Sequence, residues 1–287
     1  MFAIYKKELK SYFSNVIGWM FIAFLLFFTG MFAASINLEQ QSASFEYVVL
    51  NASLVLLLGI PLLTMKSVAD EKGQKTDKLL YSLPMKASSI IIGKYLAMVT
   101  VIFIASIVMA VYPIIISLYG IMNYTLAYTS IFGFFLLGCA LSAIGLFLSS
   151  LTESMVIAAV LSFTSSLLLY LMNGAITLVP TDAKGSFICM LVSFVVIGIA
   201  AYLLSKNQLI GVITAAVGVI PTAICYITMA EKFEGLFAKI ISFLSVFDRF
   251  YNFTYGVFDI TAIVYYISIA VFFVFLTTLS LESKRWN

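Results

Sequence analysis

Histidine is absent from all 287 residues. Its absence removes the commonest general base, a favoured zinc and copper ligand, and the base of the usual Ser-His-Asp arrangement. Cysteine is scarce. Cys139, Cys189 and Cys225 each lie within an apolar run without C-x-x-C spacing, which reads as burial of small hydrophobes; no disulfide or metal site is expected. Charge is also in short supply. Only 10% of the residues are charged and 63% are hydrophobic, whereas a soluble domain carries about 25% charged residues. A chain of this composition is solvated by lipid, and most of its length goes into crossing it.

What is present is a series of apolar runs near the roughly 20 residues that a membrane-crossing helix requires. They fall at 16–37, 46–66, 89–117, 127–150, 154–178, 186–204, 208–229 and 260–281. The expected fold is therefore an all-α polytopic integral membrane protein of about eight transmembrane helices. It is preceded by an amphipathic interfacial helix at 1–15 and followed by a basic tail at 282–287. The transmembrane domain, 16–281, carries a charged loop at 67–88, an apolar hairpin at 186–229 and an amphipathic external segment at 230–259. Positively charged loops stay on the cytoplasmic side. With the N-terminus inside, Lys6, Lys7, Lys10, Lys66, Lys72, Lys75, Lys78, Lys86, Lys94, Lys206, Lys284 and Arg285 are cytoplasmic, and Lys184, Lys232, Lys239 and Arg249 lie outside. Both termini are expected in the cytoplasm.

Two cytoplasmic segments carry a helical pattern. In "MFAIYKKELKSYFSNVI" the residues Phe2, Tyr5, Leu9, Tyr12 or Phe13, and Val16 share one helical face, with Lys6, Lys7 and Lys10 on another. Such a helix lies in the membrane surface. In "DEKGQKTDKLLYSLPMKASSIIIGKY", Asp70 and Glu71 stand where a helix start favours acids, Leu79, Leu80 and Leu83 recur at helical spacing, and Pro84 ends the ladder. A short helix with one apolar face at the membrane surface either dips into headgroups or docks on a soluble partner.

This loop resembles the one between the second and third spans of ABC type-2 transporter permeases. Glu71, Lys72, Thr76, Leu79, Leu80, Ser82, Leu83, Pro84, Gly93 and Lys94 occupy the family's positions in order. The N-terminal helix is similar to the family's connecting helix, here Lys6, Lys7, Leu9 and Lys10. The closing "FYNFTYGVFDITAIVYYISIAVFFVFLTTLSLESKRWN" resembles the last external helix, final span and basic tail of gliding-motility-type permeases. The resemblance implies an ATP-binding cassette exporter in a bacterial plasma membrane. Residues Glu71, Lys72, Thr76, Leu79, Leu80, Ser82, Leu83 and Pro84 would couple it to a cytoplasmic ATPase present in two copies, with a second permease copy or a homologous permease beside it. ATP and Mg would be bound by that partner. The chain itself lacks a G-x-x-x-x-G-K-[ST] cradle, for Gly93-Lys94 is followed by Tyr95 and has Ser88 at the first glycine position. It is expected to be a transport subunit, with no catalytic residues and no cofactor of its own.

The spans say less about cargo. None carries a charge near its centre, which disfavours an ion-coupled secondary transporter, and no lysine lies deep enough to serve an integral-membrane enzyme. Asn51, Thr164, Ser165 and Asn173 are candidates for a translocation path, although hydrogen bonding between helices is the more frequent use of such residues. The family's common plan has six spans, and 186–229 reads as an inserted hairpin whose connector "SKNQ" turns at the cytoplasmic face. A cysteine at Asn207, in a background without the three native cysteines, is expected to resist an impermeant maleimide in intact cells and to react after permeabilisation. Labelling from outside intact cells excludes the full hairpin.

Overall fold

The computed structural model describes residues 1–76, 86–118, 120–178, 180–205 and 233–286, together with 212–213, 216–219, 221–223 and 226. Among them there is no strand. Six helices are long and apolar enough to cross a membrane: Ile17–Glu39, Phe45–Gly73, Ala87–Ile116, Tyr124–Leu151, Met155–Ala175 and Ile260–Ser283. Of the hairpin expected at 186–229, the first arm is helical, with a shorter apolar stretch at Ala183–Val196. Most of the second arm lies outside the described residues.

The elements run α1 (Phe2–Ser14), α2 (Ile17–Ala33, extended by a π-helical turn at Ala34–Glu39), α3 (Phe45–Thr64), α4 (Ala69–Gly73) and α5 (Ala87–Met109). They continue with α6 (Tyr112–Ile116), α7 (Tyr124–Leu151), α8 (Met155–Leu178), α9 (Ala183–Ser205), α10 (Leu236–Leu244), α11 (Val246–Thr254) and α12 (Ile260–Trp286). The chain divides into two compact units, Met1–Leu168 with Val246–Asn287, and Leu169–Ser245.

In the first unit α3 and α7 form the centre. Their apolar stretches are 67% and 78% buried, against 17% for α8, so neighbouring helices and not lipid surround them. Small residues make this possible, because close helix approach gives the dispersion contacts that hold helices together in lipid. A Cβ on Gly138 would lie 3.0 Å from Ile102 of α5, and one on Gly145 would lie 2.6 Å from Thr64 Oγ1 and 2.8 Å from Ser162 Oγ. Thr64 and Ser162 meet there at 3.4 Å, joining α3 to α8 beside the glycine. Thr64 also donates to Ile60 O at 3.0 Å, so its hydroxyl is satisfied in the dry interior.

At one end of this unit α11 turns an aromatic face onto α7. Phe247, Phe250 and Phe253 are fully buried. Thr129 and Ser130 donate to Phe253 O at 3.2 and 3.4 Å, and Tyr266 of α12 donates to Val246 O at 2.8 Å. Asp259 then caps α12, accepting from Thr261 N at 2.8 Å; those hydrogen bonds hold its carboxyl below the ordinary range.

The second unit is held by aromatics. Phe187 of α9 stacks on Tyr226 at 4.2 Å, and Phe233 stands edge-on to both rings. The backbone closes from Gly235 N to Thr181 O at 2.9 Å.

The tightest seat of α11 is Gly133, where an added Cβ would lie 2.7 Å from Phe253 Cβ. Gly133→Ala is expected to lower stability in detergent by about 1–3 kcal/mol through overpacking. Gly174→Ala, where a Cβ meets nothing within 4 Å, is expected to be neutral or slightly stabilising. Equal thermal midpoints for the two variants would remove the close packing of α7 on α11.

Candidate functional site

The other end of the first unit gathers most of its buried charge. It begins with α1, whose packed stripe is Ile4, Glu8 and Tyr12, four residues apart and so on one face. Phe2, 74% exposed, lies off this stripe, on a side of the helix that the bundle does not cover. The reason is the surface that α1 meets. It rests on the first turns of α5 at Gly93, where an added Cβ would come within 3.1 Å of Ile4 Cγ2 and 3.2 Å of Tyr5 N. A residue without a side chain lets the two backbones close up, and Ile4 fills the gap.

The next residue, Lys94, is 2% exposed. A lysine so buried needs counter-charge and a full set of acceptors. Its Nζ lies 2.8 Å from Glu71 Oε1 and 3.2 Å from Glu8 Oε1, and donates to Ser67 O at 2.7 Å. Three acceptors match the three N–H bonds of an ammonium. Lys7 Nζ stands 3.7 Å from both carboxylates, but its side chain is 64% exposed, so water screens most of that attraction. Two cations and two anions make the cluster neutral as a whole. Lys94 is thus the point at which α1, the 67–71 segment and α5 are tied together.

Tyr12 closes the cluster from below, donating to Leu63 O at 3.2 Å. Burial, and then the charge of Glu8, push its hydroxyl far above the ordinary tyrosine range. The folded state favours the neutral phenol, so this contribution is complete below the unfolded value of about 10 and is lost as pH rises beyond it.

α4 is only five residues long, and neighbours from α7 hold it. Ser149 Oγ accepts from Val68 N at 3.3 Å and Ala69 N at 3.1 Å, capping the helix start from another helix. Lys72 is 5% exposed and its Nζ donates to Ser150 O. Gly73 lies against the 152–154 turn, for a Cβ there would be 2.7 Å from Glu153 O. The helix ends with Thr76 N on Glu71 O at 2.9 Å and Lys75 N on Lys72 O at 3.0 Å, with Lys75 left-handed at φ 57°. This paired closure reverses the chain just after the helix.

Of the residues expected to contact an ATPase, Glu71 and Lys72 point into the bundle, and Thr76 Oγ1 donates to Glu71 O at 3.2 Å. Leu79, Leu80, Ser82, Leu83 and Pro84 lie outside the described residues. On α1, Lys6 and Lys10 are exposed and Leu9 is half-buried. Sequence reasoning passed over Glu8, although a signal was available: it is the sole acid on a basic helix and falls midway between Ile4 and Tyr12. The four polar pathway candidates are not brought into one site. Asn51 returns its amide to Tyr47 O of its own helix at 2.8 Å, Thr164 is exposed, and Ser165 and Asn173 are partly exposed. The hydroxyls turned inward on α8 are those of Ser162 and Ser166 instead.

Removing the ammonium leaves two carboxylates facing each other in a nearly dry site. Lys94→Met is expected to cost about 2–4 kcal/mol, the lower part of the range for a broken buried pair because Glu8 and Glu71 keep some exposure. Adding Glu8→Gln and Glu71→Gln to Lys94→Met should recover most of the loss, since no buried charge is then left unpaired and Lys7 is exposed to water. Denaturant unfolding of the three forms in detergent checks this. A triple variant no more stable than Lys94→Met would show that packing, not charge, sets the cost.

A family model described as ABC-2 family transporter protein matches residues 2–184, which contain α1, the charged cluster, α4, α5 and α7. Neither a curated protein nor a solved structure gives a significant match. The match covers well over half of the chain and all of the residues around Lys94, and it accompanies six membrane-length helices; the chain is an integral membrane protein and belongs to the ABC-2 transporter family.

Proposed function

We propose that this chain is the permease subunit of an ATP-driven exporter and receives the movement of a separate ATPase through α1 and the 67–88 loop. The observation that carries the proposal is Lys94. One buried ammonium holds Glu8 of α1 and Glu71 of α4 against α5. Glu71 stands eight residues before Leu79, where the apolar docking face begins in the sequence. A displacement applied to that face reaches α4 first. From α4 it passes to α7 through Ser149, Ser150 and the Glu153 backbone, and to α5 through Lys94. Buried groups in full hydrogen-bond contact move together, because parting them costs several kcal/mol.

On this reading Glu71 and Lys72 are couplers by position rather than by touching the partner, and Leu79, Leu80 and Leu83 make the contact itself. ATP and Mg belong to the partner, present in two copies. The permease pairs with a second copy or a homologous permease. The charged end faces the cytoplasm, as the distribution of basic residues supports, and the membrane is a bacterial plasma membrane.

Two substitutions separate docking from coupling. Leu80→Asp places a carboxylate on the docking face and is expected to abolish copurification of the ATPase. The form without the buried charges, Lys94→Met with Glu8→Gln and Glu71→Gln, should keep the ATPase bound but lose cargo-stimulated ATP hydrolysis by about tenfold or more, a loss of about 1.4 kcal/mol or more in coupling. Survival of copurification in Leu80→Asp would overturn the docking assignment. Full stimulation in the form without the buried charges would overturn the coupling role of Lys94. A cysteine at Gln74, which is exposed, tests orientation by the same maleimide labelling proposed for Asn207.

A further inference from the structure

Among the described residues, the one β-branched side chain on a left-handed backbone is that of Val16, at φ 65° and ψ −17°. A β-branched residue is a steric outlier there, and such a conformation persists only where the surrounding structure over-determines it. α1 ends at Ser14 and α2 begins at Ile17, so Asn15 and Val16 alone join them. The left-handed residue that reverses a chain after a helix is usually glycine. Valine gains little in exchange, since its side chain is 59% exposed.

Both neighbouring helices are pinned. α2 is seated on α3, where a Cβ on Gly59 would lie 2.9 Å from Phe21 Cε2. α1 is seated on α5 through Ile4 at Gly93, through the Tyr5 hydroxyl 3.0 Å from Thr100 Oγ1, and through the Glu8–Lys94 pair. The corner itself is tight. A Cβ on Gly18 would come within 3.1 Å of Tyr12 O, and the Phe13 and Trp19 rings meet edge-on at 5.1 Å. Two residues must make the whole turn, and Val16 takes the strain. Beside the corner lies a cleft of about 110 Å³, with Lys7, Ser11, Asn15, Lys66, Asp70 and Glu71 among its walls. Those side chains are polar, so apart from Tyr12 little apolar packing holds this length of α1 down.

We infer that the Asn15–Val16 joint is a sprung hinge: closing α1 onto α5 forces Val16 into the left-handed region, and lifting α1 as a unit releases it. The Lys94 tie holds the hinge shut against that strain. When α1 lifts, α2 stays seated on α3, and Val16 returns to an ordinary backbone conformation. α1 is therefore a latch whose opening free energy lies well below that of the whole bundle, as local openings of lightly packed elements do. The inference concerns the closed and open positions of α1 alone, so it stands or fails separately from the pairing with an ATPase.

The test is backbone hydrogen exchange of the full chain in detergent, read by mass spectrometry on peptides from α1, Phe2–Ser14, and from α3. Val16→Gly accepts the left-handed conformation without penalty and is expected to slow exchange across α1 about tenfold, with α3 unchanged. Val16→Asn, which tolerates that conformation less well than glycine, should slow it by less, and carries the test should the glycine variant fail to fold. Val16→Ala removes the side chain but keeps much of the backbone penalty, so it should slow exchange least. In the form without the buried charges, α1 should exchange several-fold faster than in the wild type. Exchange in Val16→Gly as fast as in the wild type, or faster, overturns the hinge. Equal slowing of α1 and α3 would show that the strain is released only in global unfolding, and overturns it too. Unchanged α1 exchange without the buried charges overturns the part assigned to Lys94.

Discussion

Burying a lysine near the end of a membrane helix is the constraint around which this structure is arranged. The ammonium of Lys94 has almost no water, and its desolvation is offset only if carboxylates and a carbonyl reach it together. They come from three separate stretches of chain: Glu8 from α1, Glu71 from α4 and the Ser67 carbonyl from the turn between α3 and α4. None of these can move far without leaving charge unpaired. The position of α1 along the bundle, and the direction in which the charged loop leaves α3, are thereby fixed by one side chain.

The glycine before it has a different task at the same place. Gly93 brings the α1 backbone close enough for Glu8 to reach Lys94, because any Cβ there would press on Ile4 and on Tyr5 N. Two adjacent residues thus set separation and charge. This gives a physical reason for a Gly-Lys pair at the start of a span, outside any G-x-x-x-x-G-K-[ST] pattern. In a phosphate-binding loop the glycines expose backbone N–H groups to an anion; here the glycine exposes backbone to a neighbouring helix, and the lysine meets carboxylates.

Much of the fold was legible in the sequence because lipid imposes a strong rule: backbone groups in hydrocarbon must be satisfied within helices. Long apolar runs therefore mark helices almost directly, and six of the runs return as membrane-length helices. The glycines at 133, 138 and 145 each meet a different neighbour. The charged cluster was legible only in part. Glu71, Lys72 and Lys94 stand out by rarity, but their partners are far off in sequence, 86 residues in the case of Glu8 and Lys94, and periodicity within one helix carries no record of what lies across from it. Which side of α1 packs on the bundle depends on the opposing surface: α1 meets a lysine, so an acid lies on its packed face, and Phe2 stays on the outer side.

The two ends of the first unit differ in a way that bears on movement. At the end of α7 near Gly133 the contacts are aromatic rings seated on glycine together with hydroxyl bonds to a single carbonyl, that of Phe253. Apolar contacts of this kind weaken gradually as surfaces slide, because dispersion is spread over many small terms. At the other end, Ser149, Ser150 and Lys94 hold charged and backbone groups whose loss is abrupt and large. α7 takes part in both, and at 28 residues it is about 42 Å long. α7 is thus held by charged and backbone groups at one end and by close aromatic packing on glycine at the other.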